Sequence, residues 1–414
     1  MKRLFTVVLL WAAAGTSALA ADSCLECHRA KTPGAVRQWE ESAHAAAKVG
    51  CSDCHGSDHG SIEEGKAVVD TRVCGRCHEA ALHQHVASRH GMGLHSGWGC
   101  TRNLSQRDPR ECRFCHEEGS TRPRSTVQCA RFLKQSSEMG EAGCNRCHNV
   151  ETSCASCHGS HITDLKVVRD PGVCAKCHMG PDHPQWEMWQ TSKHGTIWQI
   201  EPTSGRAPTC QTCHMGDGSH DVKTSWGFLA LRLPENDPEW LANRVTILQA
   251  IGVLDDKGQP TERLEVVKAG KVARLTKEEF DQERTKMVKA CTQCHSKSYA
   301  EANLKAGDDI IREVDKIFAG AIRDVKGLYD DGILKKPAGW TYTPDLLQFY
   351  EAKTAMEQEL YLIFLEYRQR AFQGAFHANP DYMHWYGWAK VKEAAARIHE
   401  EATKLRAEHK AGKH

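Results

Sequence analysis

The sequence predicts a mainly α-helical protein, and three of its features predict this fold class. Cys-x-x-Cys-His, the attachment signature for c-type haem, occurs nine times before residue 296. Apolar residues make up only 40% of the 414 residues, too few for an ordinary core of this size. After residue 300, apolar residues recur at helical spacing with no further motif. We therefore predict a multihaem cytochrome c with haem-packed N-terminal and central regions and a C-terminal bundle of long helices.

Each motif can hold one haem, because its cysteines form thioethers with the vinyl groups and its histidine binds the iron. Zinc knuckles and iron–sulfur sites also use Cys-x-x-Cys pairs, but they need no histidine directly afterwards, and here one follows in all nine cases. We expect nine haems c. The motifs are Cys24/Cys27/His28, Cys51/Cys54/His55, Cys74/Cys77/His78, Cys112/Cys115/His116, Cys144/Cys147/His148, Cys154/Cys157/His158, Cys174/Cys177/His178, Cys210/Cys213/His214 and Cys291/Cys294/His295. The short gap between the fifth and sixth motifs predicts that their haems are near neighbours.

The chain divides into four predicted parts. Residues 1–20 have a basic start, an apolar run at 4–14 and a small-residue end, which is the pattern of a secretory signal peptide. A membrane anchor is the alternative, but the run is short for a span. Residues 21–130 form an N-terminal multihaem segment, 131–300 a haem core, and 301–414 a C-terminal helical region. We expect a periplasmic protein, because bacteria attach c-type haem outside the cytoplasm.

The near-neutral net charge of +1 gives no indication of nucleic acid as a partner or of a polybasic membrane patch. Cys100 and Cys129 stand outside every motif. In an oxidising compartment they are candidates for a disulfide that brackets the fourth motif, and two free thiols are the alternative.

Local signals place several helices in the second half of the chain. Asp237 and Pro238 suit the N-cap and first position of one helix. Thr276 with Glu279 forms a capping box that begins a second helix running into Cys291. Thr343-Pro344 is predicted to start a third, and apolar stripes at 310–328 and 388–405 predict two long amphipathic helices. We expect those helices to cover the haems and to pack against another subunit.

Fifteen histidines lie outside the motifs. An iron held by one imidazole either takes a second and carries electrons, or stays open for chemistry. In the N-terminal segment the candidate second ligands are His44, His59 and His90, with His83, His85 and His95 as further candidates. Any one of them could instead be an exposed surface histidine.

The order and spacing of the motifs resemble the hydroxylamine oxidoreductase family of octahaem cytochromes c from about residue 24 to residue 388. The matching pattern is GCxxCH, CxxCHxxH, CxxCHxGxDH, SKHG, PTCxxCHM and ACTQCHS. The resemblance implies that the haem on Cys144/Cys147/His148 is catalytic and open on its distal side, and that Asp182 and His183 form a distal catalytic pair that does not bind iron. It also implies a homotrimer and a set of second axial ligands. These are His44, His59, His90, His161, His194, His220 and His377.

Two departures from that family bear on function. The motif at Cys112 is additional to the octahaem pattern. Family members that oxidise hydroxylamine carry HxNPGGWTY, whose tyrosine becomes cross-linked to a neighbouring subunit's catalytic haem, whereas here the stretch reads HANPDYMHWYGW, with Trp385 or His384 at that place and Tyr382 and Tyr386 out of register. The missing tyrosine favours the reductive direction. We therefore expect reduction of nitrite or hydroxylamine to ammonia, with electrons from a redox partner such as a membrane-bound quinol-linked cytochrome. Hydroxylamine oxidation and pure electron transfer are the alternatives.

Overall fold

The computed structural model describes residues 14–88, 90–92, 147, 150–180, 183–222, 236–261, 264, 277–338, 340–346 and 354–412. Throughout these ranges the chain is helical or irregular and has no β-strand beyond an isolated bridge between Leu254 and Pro260. The predicted mainly α-helical fold class is thereby confirmed. None of the helices in this part of the chain has the length and apolarity of a membrane span. The first thirteen residues, the fourth motif, Cys100 and Cys129 lie outside the described residues, so the predicted signal peptide and disulfide remain predictions.

The N-terminal and central regions consist of short helices, several of which contain a haem motif. These are α1 (Ala14–Lys31), α2 (Pro33–Glu40), α3 (Ala43–Ala46), α4 (Cys51–His55), α5 (His59–Glu63), α6 (Thr71–Gly75), α7 (Glu79–Ala87), α8 (Ala155–His158), α9 (Leu165–Arg169), α10 (Gly172–Ala175), α11 (Gln185–Gln190), α12 (Lys193–Ile200) and α13 (Cys210–His214). Three 3-10 turns join them, at His90–Met92, Val150–Thr152 and Gly216–Gly218.

The polypeptide supplies little core of its own in these two regions. Among the described residues before 223, the buried apolar side chains are Leu25, Val36, Met188 and Trp189. So few side chains cannot stabilise thirteen short helices, since isolated helices of this length are marginal in water. The predicted haem packing therefore accounts for the missing apolar interior.

The second half of the chain contains the long helices. They are α14 (Pro238–Ala250), α15 (Lys277–Cys291), α16 (Lys297–Asp330), α17 (Ala355–Leu362), α18 (Arg368–Phe376), α19 (Pro380–Tyr382) and α20 (Ala389–Lys410). Two π-helical segments, Ile363–Tyr367 and Met383–Trp388, interrupt the run from α17 to α20.

A single apolar cluster holds this C-terminal bundle together. The 34-residue helix α16 contributes Val314, Phe318, Ile322 and Val325, each at most 1% exposed, to a core that α14, α17, α18 and α20 complete. The two amphipathic helices predicted from the apolar stripes are therefore confirmed as α16 and α20. Helix α14, which precedes the predicted boundary at residue 300, packs within this bundle.

Three charged side chains are buried at the centre of the bundle. Asp315 on α16 is fully buried and binds the Nε atoms of Arg244 at 2.5 Å and Arg368 at 2.8 Å, while Trp240 donates its Nε1–H at 2.8 Å. Burial alone would raise the pKa of Asp315, but the two guanidinium groups outweigh it and hold that pKa below its usual value. The carboxylate therefore links α14, α16 and α18 as a charged centre.

The helix starts test the capping predictions. Asp237 accepts a hydrogen bond from the Trp240 N–H at 3.0 Å, so the predicted start of α14 is confirmed. Helix α15 runs from Lys277 into Cys291 as predicted, although Thr276 lies outside the described residues.

The predicted helix start at Thr343-Pro344 is wrong, because residues 340–346 are not helical. Helix α17 begins at Ala355, after Thr354, which forms a capping box with Glu357. That box satisfies two N–H groups that a helix start leaves without intrahelical acceptors.

Candidate functional site

Seven of the nine motif histidines lie next to a histidine from elsewhere in the chain, at a nearly constant separation. The ring centres in these pairs are 6.0 to 6.3 Å apart. The pairs, motif histidine first, are His28 with His59, His55 with His161, His78 with His44, His158 with His220, His178 with His90, His214 with His377 and His295 with His194.

This separation fits one iron between two imidazoles. A metal–imidazole bond is about 2.0 Å long and the ring centre lies about 1.1 Å behind the bonding nitrogen, so two axial rings have centres about 6.2 Å apart. Aromatic pairs in general have centres about 4.5–7 Å apart, so the distinguishing feature is that seven motif histidines each have a partner at nearly the same separation. The residues present therefore fit bis-histidine haem at seven motifs.

All seven residues that the resemblance marked as second axial ligands occur in these pairs, and each is paired with a different motif. His148 and His116, the two remaining motif histidines, lie outside the described residues. Of the further candidates, His83 is exposed beside Glu79, and His85 has its Nε2 3.4 Å from the Glu151 carbonyl oxygen.

Three of the second ligands share one local structure, a Ser-x-His sequence at the start of a helical turn. Ser42, Ser88 and Ser192 are at most 4% exposed, and each hydroxyl donates to the carbonyl three residues earlier at 2.7 Å. Each hydroxyl also accepts the N–H three residues later, at 3.2 to 3.4 Å, as an N-cap does. The histidine two positions after each serine is therefore held on a fixed turn.

In two of these turns a glycine follows the histidine. A Cβ atom at Gly91 or Gly195 would lie 2.1 Å from the carbonyl oxygen six residues earlier. Only glycine permits this close approach of two backbone segments. The SRHG and SKHG sequences thus encode the turns that present His90 and His194.

Hydrogen bonds at Nδ1 orient several of the paired rings. His377 donates its Nδ1–H to the Gln373 carbonyl at 2.7 Å, which fixes the tautomer because a carbonyl only accepts. His44 Nδ1 lies 3.0 Å from the Thr163 hydroxyl. In both rings Nε2 remains as the nitrogen for the metal, the usual arrangement for an oriented ligand.

Several of the paired imidazoles have lowered pKa values, which favours the neutral form that binds a metal. Burial, and after it the neighbouring histidine, lowers the pKa of His90 and of His377 to about 4. The pKa of His194 falls for the same two reasons, burial first and then His295. A metal binds the neutral imidazole, so these three side chains need release no proton at neutral pH.

The motif cysteines indicate which motifs are neighbours. In four pairs one thiol lies close enough to shift the pKa of the other, namely Cys24 beside Cys51, Cys74 beside Cys154, Cys147 beside Cys177 and Cys174 beside Cys210. In three further pairs burial, and after it the charge of the partner, raises the pKa of the first thiol. These are Cys54 beside Cys74, Cys157 beside Cys174 and Cys213 beside Cys291.

Three predicted attachment cysteines differ from the rest in their surroundings. Cys27, Cys77 and Cys294, each the second cysteine of its motif, are exposed, whereas the other motif cysteines among the described residues are partly buried. The exposure of these three sulfur atoms does not prevent a thioether. Haem attachment there remains a prediction that rests on the motif alone. Cys112, Cys115 and Cys144 lie outside the described residues, and haem attachment there likewise remains a prediction.

These neighbouring thiols arrange the motifs in the order one, two, three, six, seven, eight and nine. The fifth motif lies beside the seventh. The sequence predicted the fifth and sixth motifs as neighbours. Only Cys147 of the fifth motif is described, so this remains a prediction; Cys147 lies beside Cys177, and its Sγ is 3.7 Å from the Lys176 carbonyl oxygen.

The loop that carries the predicted catalytic pair follows Cys177 directly. His183 is half-buried, with its ring edge-on to His178 and the centres 6.4 Å apart. The chain between them turns back, because the Trp186 N–H donates to the His178 carbonyl at 2.9 Å. His90 and His183 both lie near His178, at 6.0 and 6.4 Å between ring centres, and the resemblance assigns the second-ligand role to His90. Asp182 lies outside the described residues.

Sequence reasoning missed the residues that hold this loop. Glu187 on α11 accepts the Gly180 N–H at 3.1 Å, and Gln185 donates to the Gln373 side chain at 3.0 Å. Asn379 donates from Nδ2 to the Met188 carbonyl at 2.8 Å, which docks the C-terminal segment on α11. The NP pair in HANPDY was the available signal for Asn379, because Asn before Pro is a helix-start pattern. For Glu187 the sequence offers no signal.

The segment that stands where the family has its tyrosine comprises α19 and the second π-helix, Met383–Trp388. Tyr382 and Tyr386 stack with ring centres 4.8 Å apart. Trp385 and Tyr386 are more than half exposed, whereas burial raises the pKa of Tyr382. Two large aromatic side chains on one exposed helical turn fit the predicted contact with another subunit.

Comparison with known proteins agrees with these features. The profile of the family described as "Seven times multi-haem cytochrome CxxCH" matches residues 47–248 and 263–339. A probable nitrite reductase-hydroxylamine oxidoreductase fusion protein of Kuenenia stuttgartiensis is 26% identical over an alignment of 479 positions, which covers 93% of this chain and 52% of that protein. The chain therefore spans about half the length of that relative.

Two solved structures share the fold. One is a chain of the reducing HAO-like protein complex of Kuenenia stuttgartiensis, with a TM-score of 0.67 and 21% identity over 95% of this chain and 86% of that one. The other is a hypothetical multiheme protein, with a TM-score of 0.63 and 20% identity over 95% and 96%.

Proposed function

The chain belongs to the multihaem cytochrome family of repeated Cys-x-x-Cys-His motifs and is hydroxylamine oxidoreductase-like, and from this premise we propose that it is a periplasmic enzyme that reduces nitrite, hydroxylamine or both to ammonia. Haem c and a role in redox chemistry follow from the family itself. The substrate, the direction, the compartment and the count of nine haems are part of our proposal.

The pairing of the histidines carries this proposal. Each of the seven expected second ligands lies beside a motif histidine other than His148. None of the seven is therefore left for the iron on Cys144/Cys147/His148. An electron-transfer cytochrome would use two histidines at every haem, whereas an enzyme needs one open position.

The placement of the catalytic pair supports the same assignment. Cys147 lies near the Lys176 carbonyl oxygen and the Cys177 thiol. The segment that leads to His183 begins at Gly180, three residues after Cys177. The haem on Cys147 is thus expected beside that loop.

When bound, the nine haems would deliver electrons through the connected motifs and offer one open iron to the nitrogen atom of the substrate. The chain's own residues would supply protons. Each N–O bond that is reduced needs protons so that the oxygen can leave as water. His183 suits this task because imidazole titrates near neutral pH, and Asp182 beside it would orient the ring and favour its charged form.

The departure at HANPDYMHWYGW supports the reductive direction, since neither Tyr382 nor Tyr386 is in register with the family's cross-linking tyrosine. The Kuenenia relative whose name combines nitrite reductase and hydroxylamine oxidoreductase is compatible with either direction. We propose a homotrimer, with a membrane-bound quinol-linked cytochrome as electron donor.

Steady-state turnover tests the proposal. Reduced dye with nitrite or hydroxylamine should yield ammonia, and oxidised dye with hydroxylamine should be turned over more slowly. His183→Ala should lower reduction by roughly 10²- to 10⁴-fold while haem content stays unchanged, because general acid catalysis contributes about that factor. Asp182→Asn should have a smaller effect.

His83→Ala is the matched control, since His83 is exposed and lies outside the seven pairs. A protein whose high-spin signal does not respond to nitrite or hydroxylamine would be an electron carrier. Faster turnover with oxidised dye, together with a long-wavelength ferrous band from a cross-linked haem, would identify a hydroxylamine oxidase.

A further inference from the structure

Glu187 lies on α11, four residues after His183, and its side chain turns back onto the loop before the helix. Its Oε1 accepts the Gly180 N–H at 3.1 Å. Gly180 has a φ of +99°, a backbone conformation that L side chains rarely adopt. The backbone at Gly180 is thus tied to α11 by a hydrogen bond to a carboxylate.

The other end of the loop is fixed by the helix that carries Glu187. The Gln185 N–H donates to the His183 carbonyl at 2.9 Å, and the Met188 N–H donates to the Pro184 carbonyl at 3.0 Å. Both ends of the loop therefore depend on α11. Because a hydrogen bond to an ionised acceptor is about twice as strong as a neutral one, Glu187 is the strongest of these anchors.

Helix α11 is in turn held by the C-terminal region. Asn379 is buried and donates from Nδ2 to the Met188 carbonyl and to the Thr191 hydroxyl, at 2.8 and 2.7 Å. Three residues later Tyr382 lies close to Glu187. Burial raises the pKa of Tyr382, Arg370 opposes this, and the charge of Glu187 raises it further.

The second carboxylate oxygen of Glu187 is buried and has no hydrogen-bond partner among the described residues. A buried carboxylate oxygen in this state costs free energy, and the hydrogen bond from Gly180 to the other oxygen offsets part of that cost.

We propose that Glu187 is a positioning residue that ties the Gly180 backbone to α11 and thereby fixes the place from which His183 acts. This inference rests on the proposed function, because it assigns Glu187 a purpose in the same reaction. A misplacement of about 1 Å in a catalytic group can lower the rate by about 10²-fold.

Glu187→Ala and Glu187→Gln test this role against Glu201→Ala. Glu201 is a half-exposed carboxylate that pairs with Arg206 and serves as the control. Hydrogen exchange in a peptide spanning 178–184 should become about tenfold faster at Gly180 in Glu187→Ala. It should stay near the wild-type rate in Glu187→Gln, which keeps an oxygen acceptor, and in the control.

The kinetic expectation is a fall in kcat of roughly 10- to 100-fold for Glu187→Ala, with KM nearly unchanged and with low-spin spectra and haem content intact. Glu187→Gln should recover most of the loss. If Glu187→Ala does not fold, Gly180→Ala provides a second perturbation of the same loop, because its φ disfavours any side chain.

Unchanged Gly180 exchange in Glu187→Ala, or faster exchange with wild-type kcat, would overturn the positioning role. If the wild-type protein itself turns over neither nitrite nor hydroxylamine, the proposed function fails. The positioning role is then decided by Gly180 exchange together with the affinity of the high-spin haem for nitrite. Wild-type values of both in Glu187→Ala would refute it.

Discussion

Replacement of His377 by alanine should convert one low-spin haem to a high-spin one without loss of that haem. His377 lies 6.3 Å from His214, ring centre to ring centre, and its Nδ1–H is committed to the Gln373 carbonyl. Its Nε2 is therefore the nitrogen available to the iron on Cys210/Cys213/His214. Alanine removes that nitrogen but neither the thioethers nor the motif histidine, so the haem stays attached.

The size of the effect follows from the count of histidine pairs. Seven such pairs are present in the described residues, so loss of one second ligand should remove the low-spin signal of one haem, which is at most one seventh of the total. Quantitative EPR of the oxidised protein measures this fraction. The high-spin signal should rise by the equivalent of one haem. Added imidazole should restore the low-spin state, because the substitution leaves a cavity of that shape.

His83→Ala and His183→Ala serve as controls, and neither should alter the low-spin fraction. An unchanged low-spin intensity in His377→Ala would refute the ligand assignment and, with it, the use of ring separation to identify axial pairs. A loss of one haem's low-spin signal in His183→Ala would show instead that His183 binds iron, and His90 would then be the histidine without a haem.

The remaining predictions concern assembly and stability. Intact mass of the secreted protein should exceed the mature polypeptide by nine haem masses, and a gain of eight would leave one site empty, for which the Cys112/Cys115 motif is the expected one. Sedimentation at micromolar concentration should give a trimer, and a monomer alone would contradict the subunit contact expected at Trp385. Asp315→Asn should lower the free energy of unfolding by about 3–5 kcal/mol in urea titrations, since it leaves Arg244 and Arg368 buried without their charged partner. The folded-state pKa of Asp315 is depressed, so this difference should be full above about pH 4, the ordinary aspartate value, and should shrink as pH falls below it.

The sequence predicted the elements whose signals are local. The motif histidines, the capped start of α14 and the apolar stripes of α16 and α20 each depend on residues within a few turns of one another. The error at Thr343-Pro344 also came from a local signal. A Thr-Pro dipeptide suits a helix start, but the capping box of Thr354 with Glu357 is the stronger helix-start signal. The box satisfies more backbone groups, so the helix begins there.

The sequence could not predict which histidine faces which motif. His44 precedes its partner His78, whereas His161 lies far beyond its partner His55, so chain order gives no rule for the pairing. The role of Glu187 was hidden for a related reason. It depends on a reversal of the chain at Gly180, and only the folded backbone brings that N–H group to the carboxylate.

In the proposed enzyme, the neighbouring motif cysteines would define two electron routes that meet at the seventh motif. Motifs one, two, three and six lie along one route and motifs eight and nine along the other, and among the described residues both connect to the fifth motif through Cys174 and Cys177. Loss of a haem along one route should leave electron delivery along the other. Loss of the haem at the seventh motif should abolish activity even when every other haem is bound. The effect of a missing haem on activity should therefore depend on its place along these routes more than on its distance from the substrate.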